Sequence, residues 1–130
     1  MIKSLDTPRG TVVIREATLA DVVQYRELRL FALEESPLAF GQDYGTSLNH
    51  PPEFWQERLR DDEHSVTYIA EHEQNLMGMT GILRKPLPKT KHSATIVGVY
   101  IHPDWRGLRI AASLIDACIE WAGSKGVVIV

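Results

Sequence analysis

The sequence predicts a mixed α/β domain in which an antiparallel meander feeds a parallel β-α-β unit. Three observations point there. Residues 65–83 read as two strand segments around a short polar turn. The stretch from Val97 to Lys125 runs from an apolar β-branched segment, through a basic glycine turn, into apolar residues at helical spacing. Val127-Val128-Ile129-Val130 is continuously apolar, as a central strand buried on both faces is. It is expected to lie parallel to the strand ending at Ile101, joined by a right-handed helical crossover.

The elements follow in order. Met1 to Gly10, with Pro8 and Gly10, reads as a loose leader. Thr11 to Glu16 is the expected first strand. Thr18, followed three residues later by Asp21, makes a capping box with Asp in place of Glu. The helix behind it has Val22, Tyr25, Leu28, the stem of Arg29 and Ala32 as its core face. Glu34 to Pro51 is irregular, and Pro52 opens a second helix, Glu53 to Leu59, with Trp55 and Leu59 on one face.

Ser65 to Glu71 and Leu76 to Leu83 are the arms of a hairpin turning at Glu73-Gln74-Asn75. Gly78 and Gly81 mark close backbone approach. Arg84 to His92 carries Arg84, Lys85, Lys89 and Lys91, and reads as a solvated loop rather than a phosphate attractor. Ser93 to Ile101 is the third arm of the meander. A helix from Leu108 to Ser124 follows, with Ile110, Leu114, Ala117, Cys118 and Trp121 inward and Gly126 at its end.

The 130 residues suit one domain, residues 1–130. Fourteen basic residues against 17 acidic ones, a net charge of −3, argue against nucleic-acid binding through a global basic field. A single cysteine, Cys118, excludes an internal disulfide and favours a reducing compartment. No apolar run approaches the ~20 residues of a membrane span, and no signal-peptide core is present, so a cytoplasmic protein with no membrane partner is expected. The five histidines show no metal-ligand spacing, and no metal site is expected.

The functional signal lies between Val99 and Ala112. A helix N-terminus presents unpaired N–H groups and partial positive charge, the elements of a phosphate site. Gly107 allows close backbone approach, and Arg106 and Arg109 add cations. Arg106-Gly107-Leu108-Arg109-Ile110-Ala111, preceded by Val99-x-Ile101-x-Pro103, resembles the acyl-CoA signature of the GNAT family of N-acetyltransferases, Arg/Gln-x-x-Gly-x-Gly/Ala. One departure is that Arg109 replaces the first motif glycine, where it either crowds the pyrophosphate or supplies it with a cation.

The resemblance covers the chain from about Val12 onward. It implies the GNAT acyltransferase fold, with acetyl-CoA as acyl donor and no metal. Val99, Tyr100 and Ile101 would face the pantetheine as a neighbouring strand does, and Arg106, Gly107, Leu108, Arg109, Ile110, Ala111 and Ala112 would meet the pyrophosphate. It also places Phe40, Tyr44 and Asp43 near the acceptor, a small-molecule or peptide amine. The family fold normally continues with a further helix and two strands, often with a tyrosine that protonates the leaving thiolate. The chain is therefore read as truncated, or as completed by a second copy in a homodimer.

The expected reaction is acetyl transfer to a primary amine. The strand position that often carries a Glu or His base in the family is Thr95, which has no basic group. His92, His102, Asp43 and Glu35 are the alternatives, and the catalytic residues are not assigned. Cys118 and Ser113 lack a nucleophile-elbow context. A non-catalytic acyl-CoA-binding module is the competing reading. A plain strand–helix connection, with Arg106 paired to Asp104 or solvent, is the third.

Overall fold

A computed structural model describes residues 2–35, 48–59, 64–84 and 93–126. Within them, five antiparallel strands lie in the order β1-β2-β3-β4-β5. They are β1 (Ile2–Thr7), β2 (Gly10–Glu16), β3 (Ser65–His72), β4 (Asn75–Arg84) and β5 (Ala94–Ile101). Three helices accompany them: α1 (Val22–Glu35), α2 (Pro52–Arg58) and α3 (Ile110–Ser124). The mixed α/β class and the antiparallel meander are as expected. The parallel strand expected at Val127 to Val130 lies outside the described residues.

The sheet is sandwiched between helices. On one face, α3 sends Ile110, Leu114, Ala117, Cys118 and Trp121 against Val12, Ile14, Tyr68, Met77 and Ile82. These are the five inward positions read from its periodicity. On the other face, α1 and α2 pack Tyr25, Leu28, Ala32 and Trp55 against Ile69, Met79 and Tyr100. A fully buried aliphatic side chain contributes about 1.5–3 kcal/mol, so the two apolar layers hold the sheet.

Three expectations change. Residues 2–7 are not a loose leader but an edge strand, paired with β2 from Ile2↔Arg15 to Thr7↔Gly10. Pro8 and Arg9 form the two-residue turn between them. The strand beginning at Gly10 is therefore the second. Lys3 on β1 also reaches Glu120 on α3 at 2.6 Å. The final helix starts at Ile110 rather than Leu108, because Gly107 and Arg109 have positive φ. In α1, the whole of Arg29 is buried, head as well as stem.

Several local devices are realised. The Asp21 carboxylate accepts from the Thr18 N–H at 2.7 Å, the reciprocal half of the capping box. Glu73 and Gln74 both take positive φ, the geometry of a type I′ hairpin turn made without glycine. Gly78 is a close approach, since a Cβ there would stand 2.8 Å from Ile101 Cδ1, whereas at Gly81 the nearest atom would be at an ordinary 3.5 Å. Arg84 donates to the Lys125 carbonyl at 3.0 Å and so serves the end of α3. Lys85, Lys89 and Lys91 lie outside the described residues.

Candidate active site

The site is assembled at the end of β5. This strand is the sheet edge among the described residues, and it carries a bulge. Met79 pairs with Tyr100 and Gly81 with Val97, so Thr80 stands opposite two residues, Gly98 and Val99. Gly98 has φ +62°, which favours glycine at this position. Thr80 Oγ1 donates to the Val97 carbonyl at 3.1 Å and fixes the distortion. Val97 and Val99 are each 38% exposed, while Tyr100 and Ile101 are buried in opposite layers.

Beyond Ile101 the chain turns tightly. The His102 N–H donates to the Met77 carbonyl at 2.8 Å, the last tie to β4. A 3-10 turn, Pro103–Trp105, follows. Gly107 stands at φ +80° and Arg109 at φ +67°, ψ +17°. The first amide of α3 found bonded to the preceding turn is Ser113 N–H, to the Arg109 carbonyl at 3.2 Å. The amides of Ile110, Ala111 and Ala112 precede it, in the position where a helix offers donors to an anion. Arg109 thus adopts a left-handed backbone, the region that favours glycine, and it is exposed.

Arg106 ties this turn to α1. Its Nε donates to the Ile101 carbonyl at 2.9 Å, and Nη2 donates to Glu35 Oε1 at 2.6 Å. The guanidinium lies 5.4 Å from the centre of the Tyr100 ring. Its carboxylate partner is Glu35, not Asp104. The Tyr100 hydroxyl also points at Glu35 Oε1, at 3.4 Å. Burial, reinforced by Glu35, pushes the Tyr100 phenol up to about 12, so it stays protonated near neutral pH.

The base candidates separate. Glu35 is at the strand end but engaged by Arg106 and Tyr100. His102 accepts from the Asp104 N–H through Nδ1 at 3.1 Å and stacks on Phe31 at 4.9 Å, the role of a turn residue. Thr95 is exposed on β5. His92 and Asp43, with the acceptor candidates Phe40 and Tyr44, lie outside the described residues. Cys118 is fully buried, and burial pushes its thiol up to about 11, which fits a packing residue.

On the α1/α2 face, against the bulge, lies a cavity of about 220 Å³. Arg29, Arg58, Glu57, Tyr25, Thr67 and Gly98 line it. Arg29 is 6% exposed. A Cβ on Gly98 would stand 3.0 Å from Arg29 Nη1, so the guanidinium packs close against the Gly98 backbone. Burial draws Arg29 below its ordinary value. Tyr25 offsets part of that fall, and the like charge of Arg58 adds to it. Arg58 Nε meets the Tyr25 hydroxyl at 3.4 Å.

Reading the sequence missed this arginine pair. An arginine on an apolar helix face shows only that its stem is covered. Whether the head is buried too depends on β5, far away in sequence. A glycine inside a strand pattern was the available signal at Gly98.

A strand end, a positive-φ turn and a helix N-terminus in succession, on a sheet with helices on both faces, are the arrangement that the resemblance to GNAT acyltransferases implies. The comparisons agree. The acetyltransferase (GNAT) family profile matches residues 28–130, and the chain belongs to that family. No curated protein matches it in sequence. Among solved structures it is similar to the GNAT domain of S. lividans PAT, with TM-score 0.79, 15% identity and coverage of 97% of this chain and 74% of that one. It is similar to the paia N-acetyltransferase from Thermoplasma acidophilum in complex with coenzyme A, with TM-score 0.71, 12% identity and coverage of 89% and 74%. It is also similar to the ribosomal-protein-alanine N-acetyltransferase from Brucella melitensis biovar Abortus 2308, with TM-score 0.67, 23% identity and coverage of 91% and 76%. At these identities the likeness is one of fold.

Proposed function

We propose that this chain transfers an acetyl group from acetyl-CoA to a primary amine. The observation that carries the reading is the run from β5, the edge strand among the described residues, through the positive-φ turn at Gly107 and Arg109, to the start of α3. The edge of β5 around Val99 to Ile101 suits the amide-rich pantetheine, which pairs as a strand does. The amides at 110–112, with Gly107 and Arg109, suit the pyrophosphate. Arg106 acts from behind, holding the turn against Ile101 and Glu35.

The chemistry is direct. The neutral amine nitrogen attacks the thioester carbonyl, a C–N bond forms and the C–S bond breaks. The amine proton goes to a base or to solvent, and the CoA thiolate takes up a proton. Holding two reactants together supplies much of the acceleration, and a strand-end N–H stabilises the carbonyl oxygen as charge develops. The acceptor-side cavity opens at the bulge, beside the same strand. Membership of the GNAT family and a structural neighbour solved with coenzyme A support acyl-CoA use.

The test is calorimetric titration with acetyl-CoA and desulfo-CoA beside a CoA-thiol release assay over an amine panel. Saturable binding with thiol release for at least one amine is expected. Binding without release for any amine would instead favour the acyl-CoA-binding module, a reading that the engagement of Glu35 by Arg106 and Tyr100 supports.

A further inference from the structure

We propose that Arg9, on the turn between β1 and β2, is a ligand to the phosphate groups of acyl-CoA. This deepens the acyl-CoA reading of the turn before α3 and rests on it. The β1–β2 hairpin brings Arg9 to that turn from the other end of the sequence. Its guanidinium lies 5.2 Å from the centre of the Trp105 ring. Trp105 ends the 3-10 turn Pro103–Trp105 and directly precedes Arg106 and Gly107. Arg9 is exposed, and among the described residues no carboxylate stands within ion-pairing distance of it. A guanidinium stacked on an aromatic ring keeps its N–H edges for an anion.

The turn that presents Arg9 is fixed. Thr7 Oγ1 accepts the Arg9 N–H at 3.1 Å and donates to the Gly10 carbonyl at 2.7 Å. Gly10 stands at φ +121°, and a Cβ there would meet His72 Cε1 at 2.5 Å. His72 Nδ1 lies 3.0 Å from the Thr11 carbonyl, and its ring packs 4.9 Å from that of Trp105. The β1–β2 turn, the end of β3 and the turn after β5 therefore meet at one tryptophan. A side chain held this way loses little freedom when a ligand arrives. The local charge also fits. Asp104, the acid within residues 102–109, stands 3.7 Å from His102 Nδ1 rather than at Arg9. Arg106 is committed to Glu35 at 2.6 Å. Acyl-CoA carries a pyrophosphate and a ribose 3′-phosphate, and a guanidinium fork suits either.

Coenzyme A and its 3′-dephospho form are titrated calorimetrically into the wild-type chain, into Arg9→Gln, and into Lys3→Gln as a matched loss of charge elsewhere on the same hairpin. Arg9→Gln should weaken coenzyme A about threefold at low salt, the scale of an exposed ion pair. The loss should fade as ionic strength rises. Arg9→Lys, which keeps the charge, should recover part of it. A loss confined to coenzyme A assigns Arg9 to the 3′-phosphate, and an equal loss with both ligands assigns it to the pyrophosphate. Unchanged affinity for both ligands in Arg9→Gln, or an equal loss in Lys3→Gln, would overturn the proposal while leaving the CoA site standing. A loss independent of salt would place the role of Arg9 in packing Trp105 and would overturn it as well. No binding of coenzyme A to the wild type would overturn the acyl-CoA reading itself, and this inference with it.

Discussion

Arg109 holds a left-handed backbone, φ +67° and ψ +17°, that costs a residue with a Cβ roughly 1–3 kcal/mol. The strain sits at the mouth of the proposed pyrophosphate site, at the N-cap of α3. Arg109→Gly should relieve it, against about 0.4–1 kcal/mol of added unfolded-chain entropy. A rise of a few degrees in Tm is expected. The same variant removes a cation from the helix N-terminus, so acetyl-CoA affinity should fall severalfold, with a shallower dependence on salt. Thermal melts and titrations at two ionic strengths check both. Tighter binding in the glycine variant would show that the side chain obstructs the site. The identity of Arg109 as the departure from the motif was legible in the sequence. Its left-handed backbone was not legible, since arginine rarely takes that region. The burial of Arg29 was not legible, because its guanidinium is covered by a strand almost 70 residues away.

Between elements, Arg15 is the principal polar tie. From β2 it donates bidentately to Asp21, with both bonds at 2.8 Å, and to Glu71 on β3 at 3.0 Å. Asp21 is 6% exposed and also receives the Thr18 N–H, so one carboxylate joins the start of α1 to the sheet. The Arg15 hydrogen bond is the largest influence holding the Asp21 carboxyl below its ordinary value. Its folded pKa is therefore lower than the unfolded value of about 3.9. The stability it contributes is present above that value and is lost as pH falls through the folded pKa. Asp21→Asn should cost about 1–3 kcal/mol near neutral pH, because Arg15 loses one of its two carboxylate partners and keeps Glu71. Urea denaturation at pH 7 and pH 3 should show the gap between wild type and variant shrinking in acid. A gap independent of pH would place the loss in packing instead. At this scale the sequence was most legible where a period was long. The helical stripe of α3 identified five of its six buried residues, all but Ala122. It was least legible at β1, whose outer edge is uncovered among the described strands. There Ile2 and Leu5 are the only apolar residues, too few for an alternating pattern to stand out.

At the scale of the whole molecule, the fold sets the edge of β5, as it stands among the described residues, beside the N-terminus of α3, and it opens a cavity lined by Arg29 and Arg58 on the α1/α2 face of the bulge. The strand–turn–helix half of that arrangement was legible because it is contiguous, from Val97 to Lys125. The cavity was not, because it joins residues from α1, α2, β3, β4 and β5 that only the sheet register brings together. Among the described residues no helix is long and apolar enough to cross a membrane. The claim on which the rest depends is that acyl-CoA lies along β5 and ends on the turn before α3. Hydrogen–deuterium exchange of the chain with and without saturating desulfo-CoA tests it most directly. Slowed exchange is predicted for the amides of Val99 to Ile101 and of Gly107 to Ala112, with little change in β1 or at the Glu73-Gln74 turn. Saturable binding that leaves both segments unprotected, or protection confined to another face of the sheet, would contradict it.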